Sequence, residues 1–213
     1  MRVKGALLAG VSVWSVLVGY GDARAAALPS CQVITDPAND VQDPVPNDDS
    51  ALDITATSLS STDSTITAVI KVRKINAENS PGYAWQFDFS IPGGNYFFLM
   101  GTSIPGGNDF NAFKATGGPE ESRSGTGIGS ITGTINTSKS TVTMVAPAEL
   151  FRPYGLTRGT KLSGLYTTTW RANGASSESV TGAVGHVSAA GGLVTDTAST
   201  TKTHLFAKTR CRP

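Results

Sequence analysis

"YAWQFDFSI", residues 83–91, alternates large apolar side chains with small or polar ones over nine positions. The large apolar set is Tyr83, Trp85, Phe87, Phe89 and Ile91, and the intervening set is Ala84, Gln86, Asp88 and Ser90. Successive side chains of a β-strand point to opposite faces, so a period of two gives each set its own face. The stretch therefore predicts a strand with one apolar face and one hydrated face, and Trp85 is expected to pack in the core.

The same period recurs along the chain, for example in "TITAVIKV", residues 65–72. Further short strands are indicated by "LDITATSLS", "NYFFLMGTS", "NAFKAT", "GSITGTINT", "STVTMVA", "KLSGLYTTTW" and "THLFAK". Turn-forming Gly, Pro, Asn and Ser residues separate them, and only "PAELF", residues 147–151, indicates a short helical turn. We expect an all-β domain of roughly eight to ten antiparallel strands in a two-sheet β-sandwich, jelly-roll or immunoglobulin-like.

Residues 1–25 have the layout of a secretory signal peptide: two early cations, an apolar stretch over 6–18, and then "ARA". That stretch is shorter than the about 20 residues that a membrane-spanning helix needs. We therefore expect an exported protein, extracellular or periplasmic, that does not enter a membrane after cleavage. Residues 26–213 are expected to form a single domain.

The charge of the exported chain is close to neutral. Removal of residues 1–25 takes three cations and one anion from a chain with 17 basic and 16 acidic residues, which leaves a net charge of −1. Such a balance without a basic cluster excludes an electrostatic surface for nucleic acid. The expected partner is instead a polysaccharide or another exported protein.

The two cysteines, Cys31 and Cys211, stand near the two ends of the expected domain, in a protein bound for an oxidising compartment. A disulfide between them is the simplest pairing, and it predicts Cα atoms about 4.4 to 6.8 Å apart. The alternative is two buried or reduced thiols. Neither cysteine lies in a motif typical of a catalytic thiol.

Six Asp residues fall within "ITDPANDVQDPVPNDDSALDI", residues 34–54, of a chain in which only 15% of residues are charged. Asp36 and Asp40 flank the turn "DPAND", and Asp53 immediately precedes a strand, so a loop closing on itself would bring these three carboxylates together. Calcium takes six to eight oxygen ligands, which carboxylates, carbonyls and water supply. The sequence thus predicts a calcium site at Asp36, Asp40 and Asp53.

The alternative is that residues 36–53 form a solvated acidic loop. The stretch lacks the D-x-D-x-D-G spacing of a dedicated calcium loop, and its three prolines favour an extended, hydrated chain. The Gly/Ser/Thr-rich run over 173–203 is likewise expected to be a loop region.

Catalytic signatures are missing from the sequence, which has no G-x-S-x-G nucleophile motif and no H-E-x-x-H zinc motif. Only His186 and His204 could act as imidazole bases or ligands, and the default interpretations are a lone exposed histidine at 186, in a flexible stretch, and a structural histidine at 204, at the start of an expected strand. No catalytic residue is therefore predicted. Trp170 and Tyr166, at the end of "LYTTTW", are the residues that a ligand would stack on if Trp170 is exposed at the rim, and a partly buried Trp170 is the alternative.

The order of several stretches carries a likeness to a known family. They are "TDPANDV" (35–41), "SALDI" (50–54), "TAVIKV" (67–72), "YAWQFDF" (83–89), "NYFFLM" (95–100), "GTINTSKSTVTMVAPAEL" (133–150), "GTKLSGLY" (159–166) and "VTDTAST" (194–200). Together they resemble the exported β-sandwich domains related to family-9 carbohydrate-binding modules and DOMON-like domains. The resemblance implies a non-catalytic binding or accessory role and, in some relatives, calcium near the N-terminal strand.

These observations favour a secreted, non-catalytic binding or accessory module with calcium as a stabilising ion and a carbohydrate as the ligand. The alternative is a secreted structural or protein-interaction domain without a small-molecule ligand. A hydrolase is the least favoured class, because it would need a catalytic group assembled only in three dimensions.

Overall fold

The computed structural model of the chain describes residues 31–40, 50–75, 83–104, 107–117, 124–172, 186–188, 192–208 and 211–212. The predicted signal peptide, residues 1–25, lies outside these ranges, as does the part of the acidic loop that contains Asp43, Asp48 and Asp49. The signal peptide and this part of the acidic loop therefore remain predictions.

The described residues form fourteen strands. They are β1 (Cys31–Thr35), β2 (Ile54–Ser61), β3 (Thr65–Val72), β4 (Tyr83–Ile91), β5 (Asn95–Ile104), β6 (Gly107–Ala115), β7 (Ser124–Ser130), β8 (Thr132–Asn136), β9 (Thr141–Pro147), β10 (Lys161–Ala172), β11 (His186–Ser188), β12 (Gly192–Thr200), β13 (Thr203–Leu205) and β14 (Cys211–Arg212). Two 3₁₀ turns, Ala148–Leu150 and Arg152–Tyr154, follow β9. The helical turn predicted near 147–151 is confirmed.

Two antiparallel sheets make up the fold, which confirms the all-β sandwich. One sheet has the order β1-β2-β3-β9-β8. The other runs β11-β7-β6-β5-β4-β10-β13-β14, with β12 paired to β10 beside this path. The strand count exceeds the expected eight to ten because several strands are only two or three residues long and because Gly-rich stretches also pair.

The core lies between the two sheets and is built from the apolar sets that the alternation predicted. Trp85 is 1% exposed, and its indole N–H donates a 2.8 Å hydrogen bond to the Ala51 carbonyl. Phe89, Phe97 and Phe151 pack with ring centroids 5.2 to 5.7 Å apart, which joins β4 and β5 to the segment between the two 3₁₀ turns. The predicted core position of Trp85 is confirmed.

The second face of β4 differs from the expectation of a hydrated surface. Ala84, Gln86 and Asp88 are all buried, and Gln86 donates its side-chain N–H groups to the Asp88 carboxylate. The strand lies between β5 and β10 in the middle of its sheet, and a second apolar cluster covers the same side of that sheet. Polar residues on a central strand that is buried on both faces need hydrogen-bond partners, and Gln86 and Asp88 serve as partners for each other.

The Gly/Ser/Thr-rich region over 173–203 was expected to be a loop, but part of it forms β12 and β11. β12 pairs with β10 over nearly its whole length, so a backbone ladder holds this polar strand, in which Asp196 and Ala198 are buried. Residues 173–185 and 189–191 lie outside the described residues. Within the described ranges, no helix is long and apolar enough to cross a membrane.

The two cysteine positions lie at the ends of the described chain. Cys31 begins β1, is 4% exposed and is not a free thiol. Cys211 stands in β14 opposite His204 of β13, and its side chain lies outside the described part. The Cys31–Cys211 disulfide remains a prediction.

Candidate metal site

Three carboxylates converge at one end of the sandwich. Asp36 follows β1, Asp40 lies four residues further along, and Asp196 belongs to β12 of the other sheet. One carboxylate oxygen from each lies within 4.8 Å of the others. Asp196 is buried, Asp36 is half-buried and Asp40 is exposed, so the cluster opens from the protein interior towards solvent.

A β-bulge lies near this cluster in each of the strands β1, β2 and β12. β1 has an extra residue at Val33, β2 at Thr55 and β12 at Thr195, as their pairing registers show. A bulge interrupts the alternation of a strand and redirects the side chains beside it. The bulge at Thr195 directly precedes Asp196 and therefore helps to set the direction of its carboxylate.

Backbone N–H groups hold the carboxylate of Asp196. Its Oδ2 accepts a 2.6 Å bond from Ile54 N in β2, and its Oδ1 accepts a 2.7 Å bond from Thr197 N. Each carboxylate oxygen has a second lone pair, so these bonds leave Asp196 able to accept from another group. The backbone N–H of Asp36 is fixed in turn by a 3.2 Å bond to the Thr55 carbonyl.

Asp53 lies beside the cluster and is fully buried, with 0% of its surface exposed. Its Oδ2 accepts bonds from Arg73 Nε at 2.7 Å and from Asn39 N at 2.9 Å. Asn39 adopts a left-handed backbone with φ of 72°, a conformation that Asn tolerates better than most residues. The Asn39 bond holds the "DPAND" turn over the start of β2.

Two buried carboxylate atoms here, Asp36 Oδ2 and Asp53 Oδ1, have no hydrogen-bond partner among the described residues. An unsatisfied buried oxygen costs about 1–3 kcal/mol, and more when the group is charged. A hydrogen-bond donor or a cation at this end of the sandwich would therefore stabilise these two oxygens.

The electrostatics of the cluster favour proton uptake when no cation is bound. Burial raises the pKa of Asp36 to about 7, with further contributions from the negative charges of Asp196, Asp40 and Asp53. Burial also raises the pKa of Asp196 to about 6, although the N–H donors of Ile54 and Thr197 act in the opposite direction. Carboxylates that repel one another in this way are stabilised by a cation held between them.

The available donor atoms fit a hard divalent cation. All are carboxylate oxygens, the ligand type that calcium prefers, and oxygens bound to one calcium ion at 2.3 to 2.6 Å lie no more than about 5 Å apart. The 4.8 Å limit on the carboxylate separations meets this requirement. Asp40 is exposed to solvent, so water can complete the coordination.

The sequence prediction and the structure share two of three carboxylates. Asp36 and Asp40 come together as expected, whereas Asp53 lies next to the group and bonds to Arg73 instead. Asp196 takes the third position, and sequence reasoning did not select it because it stands 142 residues from Ile54, in a region expected to be a loop. The one available signal was that Asp196 is the sole acidic residue of "VTDTAST".

Trp170, one of the two residues predicted to stack on a ligand, is buried and is not exposed at the rim of the sandwich. Trp170 is only 5% exposed and packs with Phe98, Met100 and Phe113, because β10 is paired on both sides at this position. Tyr166 is half-buried on the same strand. The expectation of an exposed Trp170 is not met, and a ligand role for the two residues remains a prediction.

A buried histidine and serine lie close together, the arrangement in which a hydrolase would be sought. His204 Nε2 lies 2.8 Å from Ser61 Oγ, and Ser61 Oγ also accepts a 2.9 Å bond from Ala207 N. His204 is 2% exposed, and its Nδ1 bonds to no carboxylate or other group within the described ranges. The bonds of Ser61 with His204 and Ala207 therefore connect β13 and the residues after it to β2.

A cleft of about 490 Å³ lies between β7 and the two 3₁₀ turns. Lys114 and Glu149 border it, and Ile128, Leu150 and Pro153 form apolar walls. The Lys114 ammonium lies 4.9 Å from the centre of the Tyr154 ring, and no ion pair links it to Glu149. The cleft therefore offers one cationic and one anionic group to a ligand.

Comparisons with known proteins add no relative: no family model, no curated protein and no solved structure matches this chain. The resemblance to family-9 carbohydrate-binding modules and DOMON-like domains remains a prediction.

Proposed function

We propose that this protein is an exported, non-catalytic β-sandwich module that binds calcium at Asp36, Asp40 and Asp196. The convergence of three carboxylates from both sheets, beside buried oxygens that lack partners, carries this proposal. Calcium is favoured over magnesium because it accepts irregular sets of six to eight oxygens, whereas magnesium requires a near-octahedral set at shorter distances. The ion would supply charge neutralisation and would not act on a substrate.

Calorimetric titration of the chelator-treated exported protein with calcium chloride tests the cation part of the proposal. We expect measurable heat and a higher melting temperature in wild type, and affinity reduced by about tenfold or more in Asp40→Ala, which removes the exposed ligand. Asp63→Ala is the matched control, because Asp63 is an exposed aspartate that pairs with Arg158 far from the cluster. The absence of both heat and thermal stabilisation in wild type would show that these carboxylates face only water and protons.

The ligand part of the proposal, a polysaccharide or another exported protein, is supported by the cleft between Lys114 and Glu149. Its volume falls within the range of about 300 to 1,000 Å³ typical of ligand sites. Pull-down on a panel of insoluble polysaccharides should retain the wild type and release a Lys114→Ala/Glu149→Ala variant, with Arg158→Ala as the exposed control. Release by Tyr166→Ala instead, with the melting temperature unchanged, would locate binding at half-buried Tyr166 on β10. Retention on no polysaccharide would favour the structural or interaction domain.

A further inference from the structure

The two sheets approach each other along a seam formed by β1 and β12. β1 is the outermost strand of the five-stranded sheet, and among the described residues it pairs only with β2. β12 pairs only with β10 within the same ranges, and it packs against β1 and β2. Each strand therefore has one edge that no described strand covers, and these edges lie at the acidic cluster.

Among the described residues, one hydrogen bond and a cluster of negative charges meet at this seam. Asp196 Oδ2 bonds to Ile54 N across it, while Asp36 and Asp40 bring two further negative charges to the same place. Beside the cluster, Arg73 Nε forms an ion pair with Asp53 Oδ2 at 2.7 Å. Like charges within about 5 Å of one another in a partly buried site repel by several kcal/mol before screening.

The rest of the sandwich is held together independently of this seam. Thr57 and Thr167 bond between the sheets at 2.9 Å, and the Thr169 hydroxyl donates to the Leu52 carbonyl. Behind them lie the aromatic core of β4 and β5 and the fully paired ladder between β3 and β9. Of the side chains that the structure describes, β1 and β12 bury only Cys31, Val33, Ile34 and Ala198 in this core, and β3, β4, β5 and β9 together bury more residues there. Repulsion at the acidic cluster therefore acts first on the two edge strands.

We propose that the seam is a cation-operated clasp: calcium holds β1 against β12, and its removal opens these two strands while the remaining sandwich stays folded. The inference rests on the calcium binding proposed above, and it adds that the ion controls one local opening and not the folding of the whole domain. Strands that pair on one side only open at lower free energy than the central strands of a sheet, which makes such a local response physically accessible.

Hydrogen exchange of the exported protein, followed by mass spectrometry in calcium and in chelator, tests the clasp. Peptides that cover 31–40, 50–56 and 192–200 should exchange about tenfold faster in chelator, while peptides from β3, β4, β5 and β9 should differ by less than about twofold. A uniform change over all peptides would overturn the clasp and would indicate global stabilisation. Unchanged exchange in the seam in spite of calorimetric binding would also overturn it.

A charge-neutralising variant separates failure of the clasp from failure of calcium binding. In Asp36→Asn/Asp40→Asn the repulsion is removed without a cation, so the seam should be protected in chelator and should no longer respond to calcium. Asp63→Asn should behave as wild type. If calorimetry shows no binding, the proposed function and the clasp fail together. If calcium binds but the double variant leaves seam exchange in chelator unaltered, the clasp alone fails.

Discussion

Asp196 in β12 accepts a 2.6 Å hydrogen bond from the backbone N–H of Ile54 in β2, which joins one sheet of the sandwich to the other. The same carboxylate accepts the Thr197 N–H with its second oxygen. Asp196 therefore has two roles, because its side chain satisfies two backbone donors and also belongs to the candidate metal site. Substitution of Asp196 should affect these two roles differently.

Asp196→Asn should destabilise the protein in chelator as well as in calcium. Both carboxylate oxygens face N–H donors, so the asparagine amide must place its own N–H group against one of them, at a cost of about 1–3 kcal/mol. Urea unfolding monitored by Trp fluorescence measures this loss. Asp36→Asn serves for comparison, because Asp36 Oδ2 has no partner in the described part of the chain and its neutralisation should not destabilise the cation-free protein. Equal behaviour of the two variants would contradict the role assigned to Asp196.

The cation-free protein should lose stability as pH rises from about 4 to 7. Asp36 has a folded-state pKa of about 7 and Asp196 of about 6, both above the ordinary value of 3.8. Within this interval the folded state therefore binds more protons than the unfolded state, and its stability decreases with increasing pH. Urea midpoints in chelator across this range give the slope, which should be shallower in Asp36→Asn. A wild-type slope identical to that of the variant would rule out the raised pKa.

The sheet architecture could be predicted because its cause is local. Large side chains alternate over residues 83–91 and over 65–72, and each alternation alone specifies a strand with a buried face. Burial of Gln86 and Asp88 could not be predicted, since it depends on which strands and segments cover the second face of β4. The strand β12 was missed because its Gly, Ser and Thr residues carry no apolar period.

The candidate metal site was predictable only where it is local in sequence. Asp36 and Asp40 belong to one short turn, so their proximity follows from the chain itself. Asp196 joins them through a pairing between distant strands and through a bulge at Thr195, and neither feature can be recognised in the amino-acid pattern. Arg73 likewise bonds to Asp53 only because β2 and β3 form a hairpin.

Gly133→Ala should destabilise the protein by about 1–3 kcal/mol through overpacking. A Cβ at this position in β8 would overlap the ring of Phe110, which is 9% exposed and fills the space between the sheets. Gly107→Ala is the matched control, because a Cβ there meets no atom within 4 Å. Urea unfolding compares the two variants, and equal stability would show that the Phe110 ring moves aside at little cost.

Reduction of the protein should lower its melting temperature without abolishing the fold. A Cys31–Cys211 bridge would close a loop around almost the whole domain, for which chain entropy gives a stabilisation of about 5 kcal/mol. The sandwich retains its own core without the bridge, so cooperative unfolding should persist. Intact-mass analysis under alkylating conditions checks the bond, and alkylation of both thiols in the unreduced protein would disprove it.

His204 should make the protein less stable as pH falls below about 6.5. Its burial lowers its pKa below the ordinary 6.5, so the unfolded state binds the extra proton more readily than the folded state. Protonation would also make both ring nitrogens donors, and Nδ1 has no acceptor within the described residues. Stability should therefore be present above pH 6.5 and should be lost progressively below it.

The His204 effect is isolated by subtraction, because Asp36 and Asp196 change stability in the opposite direction over the same pH range. Unfolding free energies of wild type and His204→Gln, measured at pH 7 and pH 5 in calcium, share the carboxylate contribution, so their difference reports the histidine alone. The wild type should lose more stability than the variant between the two pH values, and His186→Gln controls for the loss of one histidine. A pH dependence that is the same in wild type and His204→Gln would show that His204 is protonated as easily in the folded protein as in the unfolded chain.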